Sequence, residues 1–433
     1  MEEHSELRML LREFSPEIIE KKLSKLELTP YLWKRDRIIL FKNVEGWKVF
    51  SNLCARREYV AKALNIKPEG LIPALIKAKS NLEPIEVEKM GVSTAPFLVN
   101  HHSSSEVDLA KLPIPTYFPE DGGPYFSSAI VIVGKGKHQN VSFHRMMVLK
   151  GEKNKLVIRI VPRHLYARYQ EARKKGKDLD IIFVVGVHPA LLLAAATSTS
   201  PEINELEIAN ALYKEAYGEG LVFTEIDGIP VPSHAEWVFK ARITAETREE
   251  GKFVDITGTY DKIRLQPVVE VEEVYYRDEP LFHALLPGGY EHYLLMGMPR
   301  LPLIYESVKN SVPFVKDVTL TPGGCSWLHG VVSIRKQKEG DGKNALLAAF
   351  SAHPSMKHCV VVDEDINIHD LHEVEWAIAT RFQADRDLIL IKDARGSSLD
   401  PSAHGTTAKM GIDATIPFDK ERKEFIKVKP ELR

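Results

Sequence analysis

The sequence predicts a mixed α/β (α+β) chain of two or three domains, and three observations carry that prediction. The chain has 433 residues, and at about 100–200 residues per domain each part can bury its own core. Apolar residues make up 44% and charged residues 27%, the balance of a globular rather than a disordered protein. Apolar runs of helical and of strand period alternate along the chain, most regularly in its last third.

Leu7, Leu10, Leu11 and Phe14 give Ser5 to about Leu26 a helical period, with a break at Ser15-Pro16. Arg37–Phe41 and Trp47–Phe50 read as strands around the turn Asn43-Val44-Glu45-Gly46. Arg56–Leu64 and Leu71–Lys79 read as helices. The stretch KLPIPTYFPEDGGPYF, Lys111 to Phe126, is rich in Pro and Gly and predicts a linker or an extended loop. Strands follow at Ser128–Val133, Met146–Leu149, Leu156–Ile160 and Asp180–Val187, with a basic helix at Pro162–Lys175. His188-Pro189 turns into a helix at Ala190–Ala196, and Trp237–Ile243 and Val268–Tyr276 complete a β-rich middle. The last third alternates: strand Gly330–Arg335, helix Asn344–Ser351, strand Cys359–Val362, helix Leu371–Arg381 capped by Asp370, strand Leu388–Lys392.

Composition excludes several function classes. The 58 Lys and Arg nearly balance the 60 Asp and Glu, so no general basic field invites nucleic acid. The N-terminus is charged and has no signal-peptide core, and the most apolar stretch, Ile181–Ser198, is broken by His188 and Pro189. That is too short and interrupted for a membrane span of about 20 residues. Cys54, Cys325 and Cys359 show no metal-knuckle spacing, which predicts inert thiols in a reducing cytoplasm.

No phosphate loop, GxGxxG, HExxH or GxSxG motif is present. The Gly pairs at Gly122, Gly288 and Gly323 read as turns. The trio Asp363-Glu364-Asp365 reads as a solvated strand end rather than a cation site, and His369 and His372 as surface residues.

Three separated segments stand out together: Asn140-Val141-Ser142-Phe143-His144-Arg145-Met146-Met147; Arg163-His164; and Pro232-Ser233-His234-Ala235-Glu236 followed by Glu250-Gly251-Lys252-Phe253-Val254-Asp255-Ile256-Thr257-Gly258. Jointly they resemble the UbiD family of decarboxylases, which use prenylated FMN. The family patterns are N-x-G-x-Y-R-M-Q, P-x-x-A-E and E-G-P-[FY]-G-[DE]-x-T-G. Leu320–Lys336, Lys357–Arg381 and Lys409–Thr415 are also similar to family stretches, so the likeness runs from about Pro113 to the C-terminus. Ser142, His144, Met147, Lys252 and Val254 depart from the usual residues, which bears on substrate more than on chemistry.

The resemblance implies an N-terminal α/β domain (1–110), a central split β-barrel that binds flavin (111–300) and a C-terminal α/β domain (301–433). It implies reversible, non-oxidative loss of CO2 from an α,β-unsaturated or aromatic acid. Loss of CO2 from an sp2 carbon needs an electron sink that side chains lack, which prenylated FMN supplies. Arg145 is carried over as the guanidinium for the carboxylate, Glu250 as its orienting partner and Asp255 as the acid that protonates carbon. Such an acid needs a carboxyl that burial keeps protonated. Asn140, His164 and Glu236 match the cation ligands, an oxygen and nitrogen set that favours Mn2+ or Mg2+, with K+ near Glu236. Ser142, Phe143, His144, Arg145, Arg163 and Lys357 are the further cofactor contacts implied.

The short chain and the segment RGSSLDPSA (Arg395–Ala403) look like archaeal members, which implies trans-anhydromevalonate 5-phosphate as substrate. A hydroxybenzoate or polyprenyl-hydroxybenzoate is the alternative. An FMN reductase and a silent flavin-binding protein are rivals from other classes. The resemblance also implies a homodimer or homohexamer, with a flavin prenyltransferase supplying the cofactor.

Overall fold

The computed structural model describes residues 6–136 and 139–428, and these divide between Leu295 and Met296 into two compact units. Ser5, where the first helix was expected to begin, lies outside the described residues. In the first unit the helix Glu6–Phe14 stops at Ser15, whose φ is +49°, and does not resume. Pro16 follows, and Glu17–Ile19 instead pairs in parallel with the strand Ile39–Val44. That strand forms a hairpin with Trp47–Ser51. Its two-residue turn, Glu45-Gly46, has φ of +50° and +98°, the left-handed pair that matches strand twist. Helices Arg57–Ala63 and Leu71–Ser80 fall where their periodicity places them.

The centre of this unit is a nine-stranded sheet whose path does not close, the open sheet of a split barrel. Its longest strands, Trp237–Glu250 and Arg264–Tyr276, pair antiparallel. Both outrun the sequence reading, because residues 244–249 are polar and mostly exposed and carry no burial period. One face packs on an aromatic core. Phe183 stacks on Phe239 at 4.5 Å, Trp237 on Tyr276 at 4.9 Å, and Trp47 brings the hairpin to within 5.1 Å of Trp237. Lys111–Phe126 is mostly an extended loop rather than a linker: Ile114, Tyr117 and Phe126 lie in this core, and Tyr125–Phe126 pairs with Met146–Val148. A smaller apolar cluster, Tyr125, Met147, Val157 and Phe253, forms a second core beside the site.

The second unit is a five-stranded sheet in the order Val315–Leu320, His329–Ile334, His358–Asp363, Thr406–Ala414, Leu388–Arg395. The inner three strands are parallel and the outer two antiparallel. Asp370 caps the helix Leu371–Arg381 by accepting from the His372 N–H at 2.9 Å, as expected. The acidic trio is not a solvated strand end. Asp363 is buried and Arg381 bonds both Asp363 and Asp365, while Glu364 pairs with Lys316. Cys54 and Cys359 are free and buried, and burial pushes the Cys359 thiol up to about 12. Among the described residues no helix is long and apolar enough to cross a membrane.

Candidate active site

Arg145 sits between the strands Asn140–Phe143 and Met146–Val148, and its guanidinium lies 4.5 Å over the Phe253 ring. Glu250 ends the 14-residue strand and is fully buried. It takes the guanidinium as a fork, from Nε at 2.7 Å and Nη2 at 3.1 Å. Asp255 accepts from Nη1 at 2.7 Å. Arg145, Glu250 and Asp255 are therefore brought together from segments about 100 residues apart. A fourth group was not anticipated: Asp261 accepts from Nη2 at 2.9 Å and from Arg264 Nη1 at 2.7 Å.

Electrostatics follow from this crowding. Burial works against the Arg145 charge, but hydrogen bonding to Glu250 and the charges of Asp255 and Asp261 outweigh it and hold the guanidinium protonated. Burial likewise pushes the Asp261 carboxyl up, yet Arg264 and Arg145 bring it down to about 2. His292 accepts the Gly288 N–H at Nδ1, 3.0 Å away, so its proton sits on Nε2. Burial lowers its affinity for a second proton, with Asp255 opposing and Arg145 adding to the effect. Arg159 bonds Arg145 and His144 through its backbone, and its guanidinium has no hydrogen-bond or ion-pair partner among the described residues. Burial and the charges of Arg264 and Arg145 weaken its protonation.

The glycines of the acid loop are there for space. A Cβ on Gly251 would come 2.4 Å from the Gly122 Cα, and one on Gly122 2.5 Å from the Gly251 Cα. Two backbones touch there, so Gly122 does more than turn the chain.

Ser142, Phe143 and His144 are half-buried beside Arg145. His144 Nδ1 meets the Arg159 carbonyl at 2.9 Å, and the Ser142 hydroxyl faces Nε2 at 3.0 Å. A carbonyl only accepts, so Nδ1 carries the proton. Burial keeps the ring neutral, with its pKa lowered to about 4.

Asn140 is buried and donates through Nδ2 to Glu205 at 3.3 and 3.4 Å. Its Oδ1 has no partner among the described residues. Glu205 opens the helix Glu205–Tyr217 behind the cap residue Asn204 and also accepts from Thr199 and the Val141 N–H. Burial raises its affinity for a proton, and these bonds together with His164 work against that. His164, at the start of the helix His164–Lys174, is thus within electrostatic reach of Glu205.

Glu236, the cation ligand expected from sequence, is elsewhere. Its carboxylate is fully buried and takes a fork from Arg8, Nε and Nη2 each at 2.8 Å, and the Leu281 N–H at 3.0 Å. Both carboxylate oxygens are thus engaged by Arg8 and the backbone. Strand register explains the separation. Asn140 lies opposite Val133, one step beyond the pair Ile132–Ile182, whereas the Glu236 N–H bonds Gly186. Those positions are at least four residues, or about 13 Å, apart along one strand. Sequence reading also missed Glu205, although Asn204 before two early acidic residues is a helix-start signal. Among the described residues no three His, Cys, Asp or Glu side chains group to hold a metal. The set here has two of them plus an amide.

Two expected contacts point to other partners. Arg163 is exposed and bonds Ser198 Oγ at 3.0 Å. Lys357, in the second unit, pairs with Asp400 at 2.8 Å and bonds Ser402.

Three domain models of the 3-octaprenyl-4-hydroxybenzoate carboxy-lyase (UbiD) family match the chain. The N-terminal-domain model matches residues 17–79, the Rift-related-domain model 88–290 and the C-terminal-domain model 293–414. The anhydromevalonate phosphate decarboxylase of Methanocaldococcus jannaschii is 44% identical over 98% of this chain and 99% of its own. That of Archaeoglobus fulgidus is 41% identical over 96% and 94%. Among solved structures, the UbiD-class enzyme HmfF from Pelotomaculum thermopropionicum in complex with FMN matches with a TM-score of 0.93 and 37% identity, covering 98% of this chain and 97% of its own. The fold, the site and these likenesses agree: the chain belongs to the UbiD family of carboxy-lyases and is a decarboxylase.

Proposed function

We propose that this protein catalyses the reversible, non-oxidative decarboxylation of anhydromevalonate phosphate, an α,β-unsaturated acid, with prenylated FMN as cofactor. The observation that carries the chemistry is the buried Arg145, bonded at once to Glu250 and Asp255. The observation that favours the substrate is 44% identity over almost the whole chain with a relative of that name.

When bound, the cofactor supplies the electron sink that no side chain offers. The chain's own residues do the rest. Arg145 presents a fixed positive charge to the substrate carboxylate and has one Nη1 N–H left for it. Glu250 holds that guanidinium in plane. Asp255, with Oδ1 on the Ile256 N–H at 2.7 Å, delivers the proton to carbon. Asn140 Oδ1, Glu205 and His164 would hold a divalent cation, Mn2+ or Mg2+. The unpartnered, buried Oδ1 fits such an ion, and the donors are hard oxygens and one imidazole. The Arg159 guanidinium, which has no partner among the described residues, is available to a phosphate or carboxylate. The Ser142 hydroxyl and the His144 ring lie together beside Arg145. In this reading the enzyme works in the cytoplasm, where free thiols persist, as a homo-oligomer supplied by a flavin prenyltransferase.

The 31% identity to the gallate decarboxylase of Lactiplantibacillus plantarum, over 90% of this chain, keeps an aromatic acid as the second reading. The deciding experiment uses protein co-expressed with a flavin prenyltransferase and measures CO2 and product by mass. Turnover of anhydromevalonate phosphate is expected. Turnover of hydroxybenzoates with none of anhydromevalonate phosphate would overturn the substrate.

A further inference from the structure

The acid cluster holds one more carboxylate than its chemistry needs. Two guanidiniums, Arg145 and Arg264, face three carboxylates, Glu250, Asp255 and Asp261, all in direct contact. Asp261 is the extra one. It lies beyond the acid loop, its side chain is 8% exposed, and its Oδ2 bridges both guanidiniums while Oδ1 takes the Lys262 N–H at 2.7 Å.

Charge balance gives this carboxylate a task. Among the groups in direct contact, carboxylates outnumber guanidiniums by one, and Arg159 offsets that charge only through space, without bonding any of them. Protonating Glu250 would spoil a two-bond fork in a fully buried site. Protonating Asp261 would loosen two guanidiniums at once. Protonating Asp255 releases one arginine bond, the fewest of the three. A proton on Asp255 therefore costs the cluster the fewest arginine bonds, provided Asp261 stays anionic. Arg145 also stays aimed when Asp255 goes neutral, because Glu250 and Asp261 hold it on the other side.

Resting on the decarboxylase reading above, we propose that Asp261 is a positioning residue: its anion, shared by Arg145 and Arg264, makes Asp255 the proton carrier and keeps Arg145 aimed through the proton transfer. The other ionisable groups around the cluster are Arg159, His292, Tyr125 and, through Tyr125, Asp121. None of them is altered in the test.

The test is the single-turnover decarboxylation rate of flavin-loaded holoenzyme against pH. Asp261→Asn removes the excess charge, so the pH above which the rate falls should drop by about one unit. Arg264→Gln leaves Asp261 less compensated, so the same limb should move up. Asp261→Glu keeps the charge and should keep the wild-type profile. A merely structural role lowers rate or Tm without opposite displacements. Unmoved limbs, or limbs moving the same way in the Asn and Gln variants, overturn the proposal. Should Asp261→Asn fail to fold, the direction seen in Arg264→Gln decides alone. A wild-type holoenzyme inert to every acid offered would overturn the decarboxylase reading itself, and this inference with it.

Discussion

Asn140 donates through Nδ2 to both oxygens of Glu205, at 3.3 and 3.4 Å, and leaves its own Oδ1 buried without a partner among the described residues. A buried carboxylate beside an amide whose oxygen has no partner, with His164 in electrostatic reach, is a donor set that suits a hard cation. Glu205→Gln should therefore weaken Mn2+ binding by about 10- to 100-fold. Glu236→Gln should leave it unchanged, since Arg8 holds that carboxylate. Metal content of purified protein, measured by mass spectrometry, checks both.

The contrast between Glu205 and Glu236 marks what the sequence makes legible. Arg145, Glu250 and Asp255 stand in dense motifs, and the structure joins them with bonds of 2.7–3.1 Å. Ile130–Val133 and residues 181–185 of the strand Leu179–Val185 are runs of buried apolar residues and were readable as such. Glu205 was not, because its neighbours signal only a helix start and its role comes from the tertiary meeting with Asn140. Residues 244–249 were not readable as strand because their order comes from pairing with Arg264–Tyr276 and not from burial. Asp261 sits three residues past the matching motif, and only the folded loop brings it to Arg145.

The pair Arg8–Glu236 predicts a stability effect without a catalytic one. Glu236 is fully buried, and the Arg8 side chain is 10% exposed. Arg8→Met would strand that carboxylate with only the Leu281 N–H and a distant Arg277, 3.9 Å away. Removing one partner of a buried pair costs about 3–5 kcal/mol, so Tm should fall by about 6–10 °C. The double variant Arg8→Met, Glu236→Met should recover much of the loss. Differential scanning calorimetry of the three proteins reads this directly.

His188 predicts how stability responds to acid. Its Nδ1 caps the helix Pro189–Ala196 by accepting the Ala190 N–H at 3.1 Å, and burial pushes its pKa down to about 3. The unfolded chain protonates this histidine near pH 6.5 and the folded chain does not. Its contribution is complete above about pH 6.5 and is lost as pH falls from there toward 3. At pH 5 the loss is about 2 kcal/mol. His188→Asn keeps a capping acceptor and removes the titration. The Tm gap between wild type and this variant should therefore narrow between pH 7 and pH 5. A gap constant with pH would show that the folded protein protonates His188.

Asp255 separates catalysis from binding. Asp255→Asn keeps an oxygen for Arg145 Nη1 but has no proton of the right acidity to give. A positioned acid contributes about 100- to 10,000-fold, so turnover should fall by that much. Flavin content should stay at the wild-type level, because Asn140, His144 and Arg159 are untouched, and Tm should move by little because a carboxylate that keeps one hydrogen bond is replaced by an amide of the same shape. Glu250→Gln differs. It breaks the charge of the two-bond fork on Arg145 in a fully buried site, so both turnover and Tm should drop. A silent flavin-binding protein predicts no change in either variant, and an FMN reductase predicts NAD(P)H oxidation indifferent to both. Steady-state decarboxylation and NAD(P)H oxidation, assayed on the same loaded preparations, distinguish the three.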